Sequence, residues 1–334
     1  MNRLKKRPVL VTVSVLVGLL LVAGLTAGGY LWNLAHSFDS KSEKIADAFP
    51  EESTRPIKKA EGAVNILLMG SDTRGGDGTE DALEGAPGDA RTDALMLLHV
   101  PSDRSGVYVM SIMRDTWTEI PGHGEHKINA AYALGGVPLT VQTVEGLFDT
   151  RIDHVAIIDF EGFRALTDAL GGVEIKVNPA FTSSHLGGRH FAAGPTLMNG
   201  EEALAFVRER YAYSDGDYQR VRNQRAFVGA VLSKFLTADT LTNPARISAT
   251  VDQFAPYITV DESLNAGAIG TLGLGLNKVR KDDIHMFTLP TKGTGSSRDG
   301  QSIVLKDEQA IKDITAALGD DSLDKYWQTL PSDN

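Results

Sequence analysis

Three apolar runs carry charge at one end. Asp72 stands two residues beyond Gly70, Arg91 and Asp93 lead into a second run, and Arg114-Asp115 directly follows a third. In an extended segment residues i and i+2 share a face, so Arg91 and Asp93 point together, in line with Leu95 and Leu97. An acid and a base placed this way form either an edge ion pair or one wall of a site. The densest cluster is Arg208-Glu209-Arg210, followed by Asp217, Arg220, Arg222, Gln224 and Arg225. In a helix Arg208 and Arg210 diverge by about 200°, whereas an extended segment lets both serve one ligand. Asp217, Arg220 and Gln224, spaced three and four apart, form one helical stripe. Such guanidinium groups either pair along a helix surface or meet an anion. Phosphate suits them, because the planar fork donates in parallel.

Other chemistries lose their support. The chain has no cysteine, which excludes disulfides, thiolate zinc sites, iron–sulfur clusters and a thiol nucleophile. His123 and His126 have too few partners for zinc and read as loop residues. Gly70 to Gly78 lacks the Gly-Lys-Ser/Thr ending of a phosphate loop, and no Gly-x-Ser-x-Gly elbow occurs. Carboxylates, bases, hydroxyls or a hard metal must therefore act.

The elements that position these residues alternate. Residues 64–69, 94–100, 107–113, 154–159, 173–177 and 284–289 read as strands. Helical patterns cover about 127–149, 160–170, 201–205, 217–236, 243–254, 262–279 and 306–318, with Gly171-Gly172 closing the second. The expectation is an α/β fold, a central mixed β-sheet packed between helices in layers, forming one domain over 64–334. Arg74 to Ala90, with five acids and five glycines, reads as a mobile surface loop.

Ahead of this domain, Arg3, Lys5, Lys6 and Arg7 precede an uncharged run over 9–32. As a helix that run is about 36 Å long, enough to cross a hydrocarbon core of about 30 Å. The expectation is a single-pass cell-membrane anchor with residues 1–8 cytoplasmic, a spacer over 33–63 and an extracytoplasmic domain. A cleavable signal peptide is the competing reading. Beyond residue 8 the chain carries 29 basic and 43 acidic side chains, a net charge of -14. Nucleic acid is not an expected partner of such a field.

Taken together, Asn65 to Arg74, Arg91-Thr92-Asp93-Ala94, Ser111 to Thr116, Lys127 to Tyr132, Ile158 to Phe163 and the Arg208-x-Arg210 to Gln224 block resemble the LytR-CpsA-Psr family. The resemblance implies a phosphotransferase that moves a glycopolymer from a polyprenyl-pyrophosphate carrier to a peptidoglycan hydroxyl through a phosphodiester bond. It implies magnesium held by Asp72 and Asp93, a hard cation on oxygen ligands. It further implies a pyrophosphate pocket of Arg91, Arg114, Lys127, Arg208, Arg210, Arg220 and Gln224, with Asp72, Asp93, Arg91 and Arg114 as the catalytic group. Asp93, and after it Asp72, is the candidate general base. A lipid channel along the helices at 138–148 and 160–170 is also implied, although those faces read equally as ordinary core. Two residues depart from the pattern: Asn223 stands where members commonly carry a base, and Met113 where a proline precedes the arginine. A polyprenyl-pyrophosphate hydrolase and a non-catalytic membrane regulator are the alternatives.

Overall fold

The computed structural model describes residues 36–71, 92–235, 252 and 255–331. The run at 9–32, the segment 74–90, Asp72, Arg91 and the helix expected over 243–254 lie outside these residues, apart from Asp252, which is helical. Among the described residues no helix is long and apolar enough to cross a membrane.

In chain order the elements are β1 (Glu43–Ile45), β2 (Val64–Ser71), β3 (Thr92–Val100), β4 (Val107–Ile112), β5 (Trp117–Ile120), β6 (Gly124–Lys127) and α1 (Ala130–Phe148). Then come β7 (His154–Ile158), α2 (Phe160–Ala169), β8 (Val173–Val177), β9 (Phe181–Thr182), β10 (His190–Phe191), β11 (Gly194–Met198), α3 (Gly200–Arg208) and α4 (Asp217–Phe235). The chain continues through β12 (Ile258–Asp261), α5 (Ala266–Gly275), β13 (Ile284–Thr288), β14 (Thr291–Ser296), β15 (Ser302–Lys306), α6 (Glu308–Gly319) and α7 (Leu323–Trp327).

Seven strands build the central sheet in the order β1-β12-β7-β2-β3-β4-β13. It is mixed: β2 pairs antiparallel with β3 and parallel with β7, β3 pairs antiparallel with β4, and β4 parallel with β13. The central strands read as unbroken apolar runs because both of their faces are covered. Leu67, Met69, Leu95, Leu97, Met110 and Ile112 pack with Val141, Val144 and Phe148 of α1 and Ile311 and Ile314 of α6. The alternate residues Ile66, Met96, Leu98, Val107 and Val109 face Leu232 of α4, Leu272 of α5 and Leu276 just beyond it. A second core gathers β8 to β11 against α3 and α4, with Phe181, Phe206 and Phe227 at its centre.

Two local signals act as their chemistry predicts. Asp159 caps α2 by accepting the Gly162 N–H at 2.7 Å. Residue 162 must be glycine, since a Cβ there would stand 2.4 Å from the Tyr257 carbonyl oxygen. At the other end, Gly171 and Gly172 adopt φ of 72° and 85° and turn the chain into β8.

The expected spacer requires correction. From residue 36 the chain is folded onto the domain: Phe38 and Ala48 are buried in apolar clusters, and β1 pairs parallel with β12. Its partners lie more than 200 residues away, so local patterning carries no trace of them.

Candidate active site

Strand direction brings the flagged charges together. Because β2, β3 and β4 run antiparallel in turn, the end of β2, the start of β3 and the end of β4 lie along one margin of the sheet. The ladder between β2 and β3 slips there: Gly70 opposes Ala94 but Ser71 opposes Thr92, leaving Asp93 as the extra residue of a bulge. The simple alternation that aligned Asp93 with Leu95 and Leu97 therefore ends at the bulge. Thr92 is buried, and the Asp93 side chain is 27% exposed.

Arg114 lies at the centre of the site. Its Nη1 donates to Asp93 Oδ1 at 2.6 Å, and its Nε lies 3.8 Å from Asp217 Oδ1 and 4.0 Å from Asp115 Oδ2. Lys127 Nζ approaches Asp115 Oδ1 at 3.4 Å, and Arg220 Nη2 lies 2.7 Å from Asp217 Oδ1. Thus Lys127, Asp115, Arg114, Asp217 and Arg220 form a continuous charged row with Asp93 on its flank. Lys127 was expected at a helix start; it ends β6 instead, paired with Trp117 across the hairpin.

The row is held from behind by apolar packing. Met113 is buried against Val221 of α4 and Val304 of β15, so its side chain fixes the end of β4 where a proline would have stiffened the backbone. The Tyr218 hydroxyl and Thr291 Oγ1, 2.9 Å apart, join the start of α4 to β14. Asn223, the second departure, belongs to the interior: its Nδ2 donates to the Phe206 carbonyl at 3.0 Å and staples α4 to α3.

The remaining arginines divide. α3 stops at Arg208 because Glu209 is extended, at φ -66° and ψ 128°. Glu209 is buried and accepts N–H bonds from Ser184 at 2.6 Å, Arg210 at 3.0 Å, Tyr211 at 2.9 Å and Ala212 at 3.2 Å. Burial opposes its charge, yet these donors and the Ser184 hydroxyl hold its carboxyl below the usual range. That knot sets the two arginines apart: the Arg208 guanidinium lies 4.4 Å from the Phe160 ring centre, and Arg210 donates to the Tyr211 hydroxyl at 2.7 Å. Arg222 turns to Asp215 and Gln219, and Arg225 donates inward to the Met286 carbonyl. Gln224 donates to the Val207 carbonyl at 3.5 Å and, among the described residues, makes no hydrogen bond to the charged row.

Electrostatics distinguish the two central arginines. Burial works against the charge of Arg114, but Asp217, Asp93 and Asp115 outweigh it and raise its pKa. Burial lowers the pKa of Arg220; Asp217 and Asp93 oppose the shift, and Arg114 and Arg210 add to it. Arg114 Nε and Arg220 Nε and Nη2 are buried without a hydrogen-bond partner among the described residues, the short contact to Asp217 being out of line. Buried donors left this way carry a desolvation penalty that an oxyanion would relieve. Asp115 and Asp217, which order these guanidinium groups, were visible in the sequence only as neighbours at one and three residues.

Of the two expected magnesium ligands only Asp93 is described. Its carboxylate is a hard donor at an accessible margin, which fits the ion, and one oxygen is engaged by Arg114. Among the described residues no group of three or more acids and histidines could enclose a metal, so phosphate oxygens and water would have to complete its shell.

The model of the LytR_cpsA_psr family matches residues 31–320. The chain belongs to that family. It is 32% identical over 329 residues to a Bacillus subtilis protein named polyisoprenyl-teichoic acid–peptidoglycan teichoic acid transferase TagU, covering 97% of this chain and 99% of the relative. It is 30% identical over 340 residues to the cell wall biosynthesis protein LcpA of Corynebacterium glutamicum, covering 91% of this chain and 64% of that one. Among solved structures, TagT bound to LI-WTA superposes with a TM-score of 0.63 at 25% identity, over 82% of this chain and 98% of the other. The B. subtilis TagV structure, at 23% identity and a TM-score of 0.66 over 80% and 98%, shares the fold.

Proposed function

We propose that this chain is a transferase of cell-wall assembly that moves a glycopolymer from a polyprenyl-pyrophosphate carrier to a peptidoglycan hydroxyl. Membership of the family and the names of its relatives support the reaction class. The observation that carries the reading is the set of buried guanidinium donors on Arg114 and Arg220, ion-paired to Asp217 but lacking aligned hydrogen bonds to it, gathered beside Asp93 at the sheet margin.

In this mechanism Asp93 accepts the proton of the acceptor hydroxyl. The acceptor oxygen forms a bond to the glycan-linked phosphorus as the bridging P–O bond breaks, giving a phosphodiester and polyprenyl phosphate. Arg114, Arg220, Arg210 and Lys127 neutralise the charge gathering on the leaving phosphate, stabilisation that typically contributes a few kcal/mol per donor. The family resemblance would add Arg208, Gln224 and Arg91, the last outside the described residues, to this pocket, for which Arg208 and Gln224 would have to turn from the Phe160 ring and the Val207 carbonyl. Asp93 with Asp72 would hold magnesium, whose chemistry is to offset phosphate charge. The run at 9–32 anchors the domain outside the cell membrane.

The test is incubation of purified protein with a polyprenyl-pyrophosphate-linked glycan, magnesium and peptidoglycan, following polyprenyl phosphate and wall-bound sugar by mass spectrometry. Release with attachment supports the transferase. Release without attachment supports a hydrolase using the same site, and no product from a validated substrate leaves a regulatory role.

A further inference from the structure

Beside the charged row, the β5–β6 and β14–β15 hairpins enclose a depression of about 450 Å³ lined by Trp117, Glu125, His126, Ser297, Arg298 and Ile303. Trp117 is half-buried, and its ring centre lies 6.3 Å from that of His126, tilted by 47°. Glu125 and Arg298 face the same space, yet neither side chain makes a hydrogen bond or ion pair with a described residue. Asp299 is different, because Ser297 and Gln301 already occupy its oxygens. The lining therefore offers an aromatic face, an uncommitted carboxylate in Glu125, an uncommitted guanidinium in Arg298 and the polar groups of His126 and Ser296, with acid and base in balance rather than the excess of bases that a second phosphate would need.

That combination suits a sugar ring. The C–H face of a pyranose packs on an indole, while its hydroxyl and acetamido groups bond to a carboxylate and a guanidinium at the rim. The depression is also joined to the reaction centre. Trp117 pairs with Lys127, Lys127 reaches Asp115, and Val304, next to Ile303, donates its N–H to the Asp115 carbonyl at 2.8 Å. Trp117 follows Asp115 by two residues, at most about 7 Å along the backbone, a span that one sugar ring bridges.

The geometry points to a pyranose-binding subsite between the two hairpins, with Trp117 as its stacking platform and Glu125 and Arg298 as its polar contacts. The identity of the glycan rests on the proposed transfer reaction; the existence of the subsite does not.

Full-length protein in detergent would be titrated by calorimetry, without turnover, against a soluble peptidoglycan tetrasaccharide and against a polyprenyl-pyrophosphate-linked glycan. Trp117→Ala should weaken one of the two at least tenfold, and Trp117→Phe should stay within about threefold of the parent. Loss confined to the tetrasaccharide places the acceptor strand in the subsite. Loss confined to the lipid-linked glycan, with inorganic pyrophosphate affinity retained, places the donor sugar there. Should Trp117→Ala fail to fold, Glu125→Gln and Arg298→Ala carry the same comparison from exposed positions. Unchanged affinity for both glycans, or a parent protein that binds neither, overturns the subsite. Intact glycan binding in a protein that never transfers would defeat the transferase reading and leave the subsite standing.

Discussion

Arg114 holds Asp93 at 2.6 Å, one residue displaced by a β-bulge and the other just beyond the end of the neighbouring strand. The proposed general base and the proposed charge-neutralising group thus share one hydrogen bond across a strand boundary. Whatever moves one moves the other.

Asp93→Ala and Arg114→Ala should each lower transfer by at least about a hundredfold, the usual scale for loss of a well-placed charge-stabilising donor. Asp93 sits at an accessible margin, so its variant's melting temperature should move by only a few degrees, whereas Arg114 is largely covered beside Asp217 and its variant's activity is read at a temperature below its own melting point. Steady-state kinetics beside thermal denaturation checks this; unchanged turnover in either variant removes that residue from the mechanism.

Inorganic pyrophosphate at a hundred times its dissociation constant should stabilise the parent protein by about 2.7 kcal/mol, because only the folded chain gathers the guanidinium row. Arg114→Ala and Arg220→Gln should respond much less. Thermal shifts across a ligand series measure both, and equal shifts in all three proteins would place the anion elsewhere.

Removal of magnesium should slow transfer at least tenfold, about 1.4 kcal/mol of barrier. Full activity in excess chelator would defeat the assignment of Asp72 and Asp93 as metal ligands.

The Glu209 knot predicts a pH dependence with a definite sign. Its folded pKa lies below the ordinary 4.5, so its contribution to stability is fully present above that value and disappears as pH falls through the depressed one. Glu209→Gln should therefore melt earlier than the parent at pH 7, with the gap closing as the buffer is taken below 4.5. A gap that persists undiminished in acid would show that packing, not the carboxylate, holds this turn.

Much of the central sheet was legible because both faces of β2, β3 and β4 are covered, which writes apolar runs directly into the sequence. The end of α2 was legible locally, because Gly171-Gly172 closes it, whereas Asp159, read as the last residue of a strand, is the cap that opens it. The site was legible as a set of residue types but not as a geometry. Nothing near residue 93 announces a bulge, because the slip is set by the pairing of Gly70 and Ser71 on another strand. Lys127 looked like the start of a helix because the Trp117–Lys127 pairing that makes it a strand residue lies across a hairpin. The split between Arg210, which sits within electrostatic reach of the row, and Arg222 and Arg225, which do not join it, depends on the extended Glu209 and on which way α4 faces. Residue types show neither.

The pairing of β1 with β12 sets an order of events. Glu43 finds Thr259 only after 216 further residues exist, so this edge of the sheet stays incomplete until β12 is in place. Until then Phe38 and the uncovered edge of β7, which β12 will pair, are sticky surfaces on an unfinished molecule. A nascent chain truncated before residue 258 would lack the strand that receives its own beginning, and its quality control reduces to whether that first segment has found a partner.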